Sequence, residues 1–122
     1  MEKFLKNKRV AKPNECSKVR DNALNNLWHT WPNETPPREP GTYAKCLLRG
    51  ISQRTERLTY IMGTWFWEED KPGIPKSYYQ GWFQDNNYLS EFDEYEQQFE
   101  WLYLTDLETE DIKELTSRPG WI

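Results

Sequence analysis

One imidazole, two thiols and two runs of carboxylates are the reactive side chains of this sequence, and their spacing limits what they can do. His29 is the only histidine among 122 residues. Any Ser-His-acid or Cys-His arrangement would have to pass through it, and a histidine-rich metal site is excluded. Lying between Trp28 and Trp31 beside Pro32, it reads more simply as an imidazole packed on aromatic rings. Cys16 and Cys46 stand thirty residues apart and offer neither a disulfide framework nor a zinc spacing. Both read as reduced thiols, Cys46 buried in a strand. Cys16 sits in a basic stretch that would favour its thiolate, but no helix start or partner base accompanies it. Glu68-Glu69-Asp70 and the run Glu91 to Glu96 are raw material for acid-base or divalent-cation chemistry, yet neither has the alternating-Asp spacing of a calcium loop. They read as solvated loops. The six glycines are scattered, so no glycine-rich phosphate cradle precedes a helix. The sequence assigns no catalytic residue, no metal and no cofactor, and the chain reads as a non-enzyme.

Stacking is the other chemistry available. Trp65, Trp67, Tyr78, Tyr79 and Trp82, with Phe83, exceed what one face of a small sheet needs, and Arg49, Arg54 and Arg57 supply charge nearby. Together they are the candidate binding residues: a platform for a nucleotide-type ligand or another stacking partner, or else core or an interface with a protein. At least two of the five rings are expected to stay exposed in a monomer, because both faces of the strand that carries Trp65 and Trp67 are apolar and little helix is available to cover them.

Composition bounds the rest. The chain is 36% hydrophobic and 30% charged, with seven Trp, seven Tyr and five Phe. Aromatic rings bury much area at small entropic cost, so a domain poor in aliphatics can build its core from them. The length suits one domain. No window approaches eighteen apolar residues, and the first twenty residues hold charge in place of an apolar segment, so no membrane contact is expected and the cytoplasm is the expected location. The net charge of −4 hides an asymmetry. Residues 1–20 carry seven Lys or Arg against two Glu, whereas residues 85–114 carry eleven Asp or Glu against Lys113. Solubility explains both runs. The functional alternatives are nucleic-acid contact through the basic arm, and an acidic surface that mimics nucleic acid and inhibits a host protein.

The elements that must position these groups follow from periodicity. Residues 1–16 read as a flexible basic arm and 17–122 as a single α+β domain. Val19, Ala23, Leu24, Leu27 and Trp28 sit at helical spacing after Ser17, which predicts a first helix. Four prolines between Pro32 and Pro40 force extended or turn backbone, and Pro37-Arg38-Glu39-Pro40 is treated as a turn despite its Pro-x-x-Pro form. Alternation predicts strands over Thr42–Arg49 and Arg57–Trp67 paired as an antiparallel hairpin, a third over Tyr78–Gln84, and a last, central one through Phe99, Trp101 and Tyr103. Thr105 and Glu108 suggest a capping box for a C-terminal helix that ends before Pro119-Gly120, with Trp121 folding back onto the body. The expected fold is α+β: a small antiparallel sheet of three or four strands with an N-terminal and a C-terminal helix.

Trp28-x-x-Trp31-Pro32, the proline-rich turn Glu34 to Pro40, Gly41-x-Tyr43, a hairpin ending in Trp65, and the closing Glu100-Trp101-Leu102-Tyr103-Leu104 together resemble the family numbered 551 among the domains of unknown function. That resemblance spans roughly residues 27–104 and implies a small protein of a phage or other mobile element, with no activity or catalytic residue to carry over. The aromatic stretch from Lys71 to Asp93 and the absence of a Pro-Leu-Pro ending depart from the family pattern. The reading reached is a non-enzymatic protein-interaction module. Self-association or a protein partner is expected, and a small-ligand binder is the alternative.

Overall fold

The computed structural model describes residues 26–85 and 87–121. Six strands, β1 (His29–Trp31), β2 (Thr42–Ile51), β3 (Leu58–Trp67), β4 (Gln80–Gln84), β5 (Asn87–Tyr88) and β6 (Phe99–Tyr103), are followed by one helix, α1 (Thr109–Thr116). β2 and β3 pair along their whole length, from Thr42 opposite Trp67 to Ile51 opposite Leu58. Every other pairing is also antiparallel, and the sheet runs β1-β6-β2-β3-β4-β5. The hairpin read from alternation is therefore present, and β6 lies between β1 and β2.

The layout of three or four strands with two helices is corrected to a six-stranded sheet carrying one C-terminal helix among the described residues. β1 and β5 escaped sequence reading because three and two residues are too few to show a period. Each exists only through its neighbour, β1 through β6 and β5 through β4. The basic arm and residues 17–25 of the expected first helix lie outside the described residues. Its expected end does not hold, since Leu27 is in a turn and Trp28 leads into β1. The third strand starts two residues late, because Lys76–Tyr78 form a 3-10 turn. At the C terminus a second 3-10 turn takes Leu104–Asp106, and the capping box moves from Thr105 to Glu108, whose partner is Asp111.

Period-two alternation divides the sheet into two faces. On the front face Cys46, Leu48, Ile61, Trp65, Trp82 and Trp101 are buried together. Their roof is irregular chain: the proline turn, with Pro36 fully buried, and the loop 89–97, with Phe92 fully buried. Indole N–H groups tie roof to sheet. Trp31 Nε1 donates to the Glu94 carbonyl, Trp65 Nε1 to that of Pro37 and Trp101 Nε1 to that of Glu34, each at 2.8 Å. Each ring thus supplies buried area and also satisfies a loop carbonyl.

The back face holds a second cluster of Leu47, Tyr60 and Leu102, covered by Leu107 and Leu115 from the α1 region. Trp121 does fold back: its ring stacks on Tyr60 at 5.4 Å and its Nε1 donates to the Leu115 carbonyl at 2.7 Å. The Tyr60 N–H donates to the Gly120 carbonyl at 2.9 Å, so the chain end adds a short parallel bridge to β3.

Candidate functional site

The residues singled out for stacking are mostly spent on the fold. Trp65, Tyr79 and Trp82 are buried, and Trp67 is half-buried, stacked on Trp65 at 5.7 Å with the Arg38 guanidinium 5.2 Å above it. The Tyr79 hydroxyl accepts the Lys71 N–H at 2.8 Å. Tyr78 alone of the five is exposed, so the expectation of at least two open rings fails there. The reason is the front roof, built from segments whose charge and proline content suggested solvated loop.

The three arginines do not converge. Arg49 lies 4.2 Å over the Trp28 ring and pairs with Glu100 at 2.7 Å. Arg54 pairs at 2.7 Å with Glu91, which is only 2% exposed and also accepts the Ser52 hydroxyl at 2.8 Å. That buried carboxylate is tolerated because a cation and a hydroxyl replace its water, and it clamps the loop 89–97 to the β2–β3 loop. Gln97 reinforces the clamp by donating to the Ile51 carbonyl. Arg57 is exposed just before β3.

Two surface features are left among the described residues, and, Phe83 aside, neither lies on the residues singled out for binding in the sequence. The first is a strip on the back face. Tyr43 and Phe66 face each other across β2 and β3 and meet edge to face at 5.8 Å, and Phe66 meets Phe83 of β4 in the same way at 5.9 Å. Tyr43 is 60% exposed, and Met62, on the same face of β3, is also exposed. Cross-strand aromatic pairs add to sheet stability but do not require exposure. Among the described residues the strip is only partly covered, with Tyr43 exposed and Phe66 and Phe83 half-buried, because α1 covers only the end of the face around Leu47 and Tyr60. The signal was present in the sequence, since Tyr43 and Phe66 occupy the alternate positions to the front-face residues.

The second is a shallow cleft of about 390 Å³, beside β5 and the loop 89–97, lined by Tyr88, Phe92, Asp93, Glu94 and Tyr95 among others. Burial pushes the Glu94 carboxyl up to about 7; the Trp82 N–H and Arg38 oppose that rise, and Asp93 adds to it. Gly81 makes room for this carboxyl. Its φ is +117°, and a Cβ there would lie 2.8 Å from Glu94 Oε2.

The remaining reactive groups are quiet. Burial, with a smaller contribution from Asp106, pushes the Cys46 thiol up to about 12, so it is neither a nucleophile nor a ligand at neutral pH. His29 stacks on Trp101 at 4.4 Å and lies 3.3 Å from Glu34. The Thr30 N–H, followed by His29, holds the Glu34 carboxyl below the usual range. Among the described residues no group of three or more His, Cys, Asp or Glu could hold a metal ion, and no helix is long and apolar enough to cross a membrane. Compared with known proteins, the chain matches no family model, no curated protein and no solved structure, so function must be argued from its own residues.

Proposed function

We propose that this chain is a non-enzymatic protein-interaction module that docks an apolar segment of a partner protein on its open back face. The observation that carries the reading is the contiguous ring strip Tyr43–Phe66–Phe83, left outside the reach of α1. A contiguous strip of one exposed and two half-buried rings on a small protein marks an interaction surface, because its hydration is costly and a partner relieves it. The strip spans three strands of a sheet face, a breadth that suits a protein surface better than a small molecule, which needs concavity. The resemblance to the family numbered 551 extends the proposal to a phage or mobile-element protein acting in the cytoplasm, and the genomic neighbours of the coding sequence test that part.

The docking face is tested by placing the photo-crosslinker p-benzoylphenylalanine at Tyr43 in the native host. The expected result is a discrete adduct with one other protein. Once purified, that protein should bind the wild-type chain at least about tenfold more tightly than Phe66→Glu or Tyr43→Glu, a loss of about 1.4 kcal/mol or more. Tyr43→Glu is included because its exposed position leaves folding intact. Adducts solely between copies of this chain, or affinity unchanged in both variants, overturn the reading.

A further inference from the structure

We infer that the cleft between β5 and the loop 89–97 binds an alkylammonium cation, holding it between the rings of Tyr88 and Tyr95 and the carboxylates of Asp93 and Glu94. The walls supply both halves of ammonium recognition. Tyr95 is 77% exposed and Tyr88 52%, and Tyr78 stacks on Tyr88 at 5.8 Å, which holds that ring in place. Such π faces attract a cation, and the fully buried Phe92 lines the cleft beside them.

Among the described residues neither carboxylate has a paired cation, although burial of Glu94 favours one. No described basic side chain lines the cleft. The neighbouring cations are engaged elsewhere: Arg54 with Glu91, Lys76 at 3.8 Å from Asp70, and Arg38 over Trp67. Among the described residues neither Asp93 nor Glu94 forms an ion pair. Asp93 Oδ1 accepts the N–H groups of Tyr95 and Glu96, at 2.9 and 3.3 Å, and Glu94 receives one long bond of 3.4 Å from the Trp82 N–H. Two adjacent acids, one of them desolvated, therefore line an aromatic cleft that no described basic residue lines, and the charge of Arg38 only partly offsets the burial of Glu94. An ammonium group entering the cleft offsets both the desolvation of Glu94 and its repulsion by Asp93. It also favours ionised Glu94, so binding releases a proton and tightens as pH rises through 7. The other groups facing Glu94 do not reverse that sign. Arg38 lowers Glu94 without outweighing burial, the Trp82 N–H does not titrate, and burial holds the Tyr95 hydroxyl above its ordinary range. None of the strip residues lines the cleft, so the inference stands apart from the docking-face reading.

The test is a titration of the ¹⁵N-labelled full chain with butylammonium and tetramethylammonium chloride, against sodium chloride at equal ionic strength and the neutral tert-butanol. Saturable shifts at the amides of Ser77, Tyr88 and Tyr95 are expected in the millimolar range, a scale suited to a ligand of a few heavy atoms. They should weaken about fivefold or more in Glu94→Gln and in Tyr95→Ala, and tighten between pH 6 and pH 8. Tyr95→Ala, at an exposed ring, keeps the test valid if Glu94→Gln perturbs the fold. A Gly-Lys-Gly peptide that binds more tightly than butylammonium supports a protein side chain as the source of the ammonium, and equal affinity supports a free amine. Equal shifts with sodium or tert-butanol, or unchanged binding in both variants, overturn the inference.

Discussion

The two faces of this sheet are built from the same strands and end in opposite states. On the front, Ile61 and Trp65 of β3 are buried under irregular chain that three indole N–H groups hold in place. On the back, Tyr60 is buried beneath α1 and Trp121, while Met62 and Phe66, two and six residues further along, lie outside that cover. The lengths account for the difference. A helix of eight residues spans about 12 Å, whereas a strand of ten spans about 33 Å, so α1 cannot cover the whole length of β2 and β3. An apolar pattern shows which residues can be buried. What chain remains, and where it is anchored, decides which of them are.

The largest effect is expected on the front face. Trp82→Ala deletes a fully buried ring that contacts Trp31, Trp65, Phe99 and Trp101, and should cost about 3–5 kcal/mol, enough to unfold much of a marginal domain in the absence of denaturant. Urea unfolding with a near-native midpoint would show that the front cluster is loosely packed. Next in size is Leu115→Ala, which removes the helix residue buried against the back cluster. A loss of about 3 kcal/mol is expected, with faster amide exchange at Tyr60, whose N–H is bonded to the chain end. If exchange at Tyr60 is unchanged, α1 does not hold the back core closed.

How much of this was legible depended on whether the signal was periodic. β2 and β3 were read, with their pairing, because ten residues of alternation leave little freedom of register. β1 was not, because His29–Trp31 acquires strand character only by pairing with Phe99–Trp101. On its charge the acidic run reads as solvated loop, yet Phe92 and Glu91 are among the most buried residues. The apolar anchors Leu89 and Phe92 were the available clue. The buried Glu91 was not legible at all, since its tolerance depends on Arg54 and Ser52, nearly forty residues earlier. The candidate rings failed for a related reason: both faces of β3 are apolar, but sequence alone does not show which face the roof segments cover.

The loop 89–97 that roofs the front face gives the comparison a pH dependence. Glu94 has a folded-state pKa of about 7 against an ordinary value of 4.5, because burial disfavours its charge. A raised carboxyl contributes stability that is fully present below about pH 4.5, declines as the unfolded chain ionises first, and is gone above about pH 7. Allowing for partial access of water, the amount is about 2 kcal/mol. Urea midpoints of the wild type measured against Glu94→Gln from pH 4.5 to 8 should show this decline in the difference between the two. A flat difference would mean that water reaches the carboxyl freely and the roof is open at Glu94.

The smallest expected effect is the sharpest test of the open face. Tyr43 is mostly exposed, and its one ring partner among the described residues is Phe66, so Tyr43→Ser gives up an edge-to-face contact and little buried area. Aromatic pairs of this kind contribute about 0.5–1.5 kcal/mol, and the lower end applies where one ring is already in water. A shift in urea midpoint equivalent to less than about 1 kcal/mol is therefore expected in the isolated chain. Removing residues 1–25 should leave that small difference unchanged if the strip is open to an external partner. If Tyr43→Ser costs several kcal/mol in the full chain but little after the truncation, the strip is occupied by the chain's own N-terminal segment. The back face would then be closed like the front, and the contrast between the two faces would reduce to one between a loop roof and a terminal one.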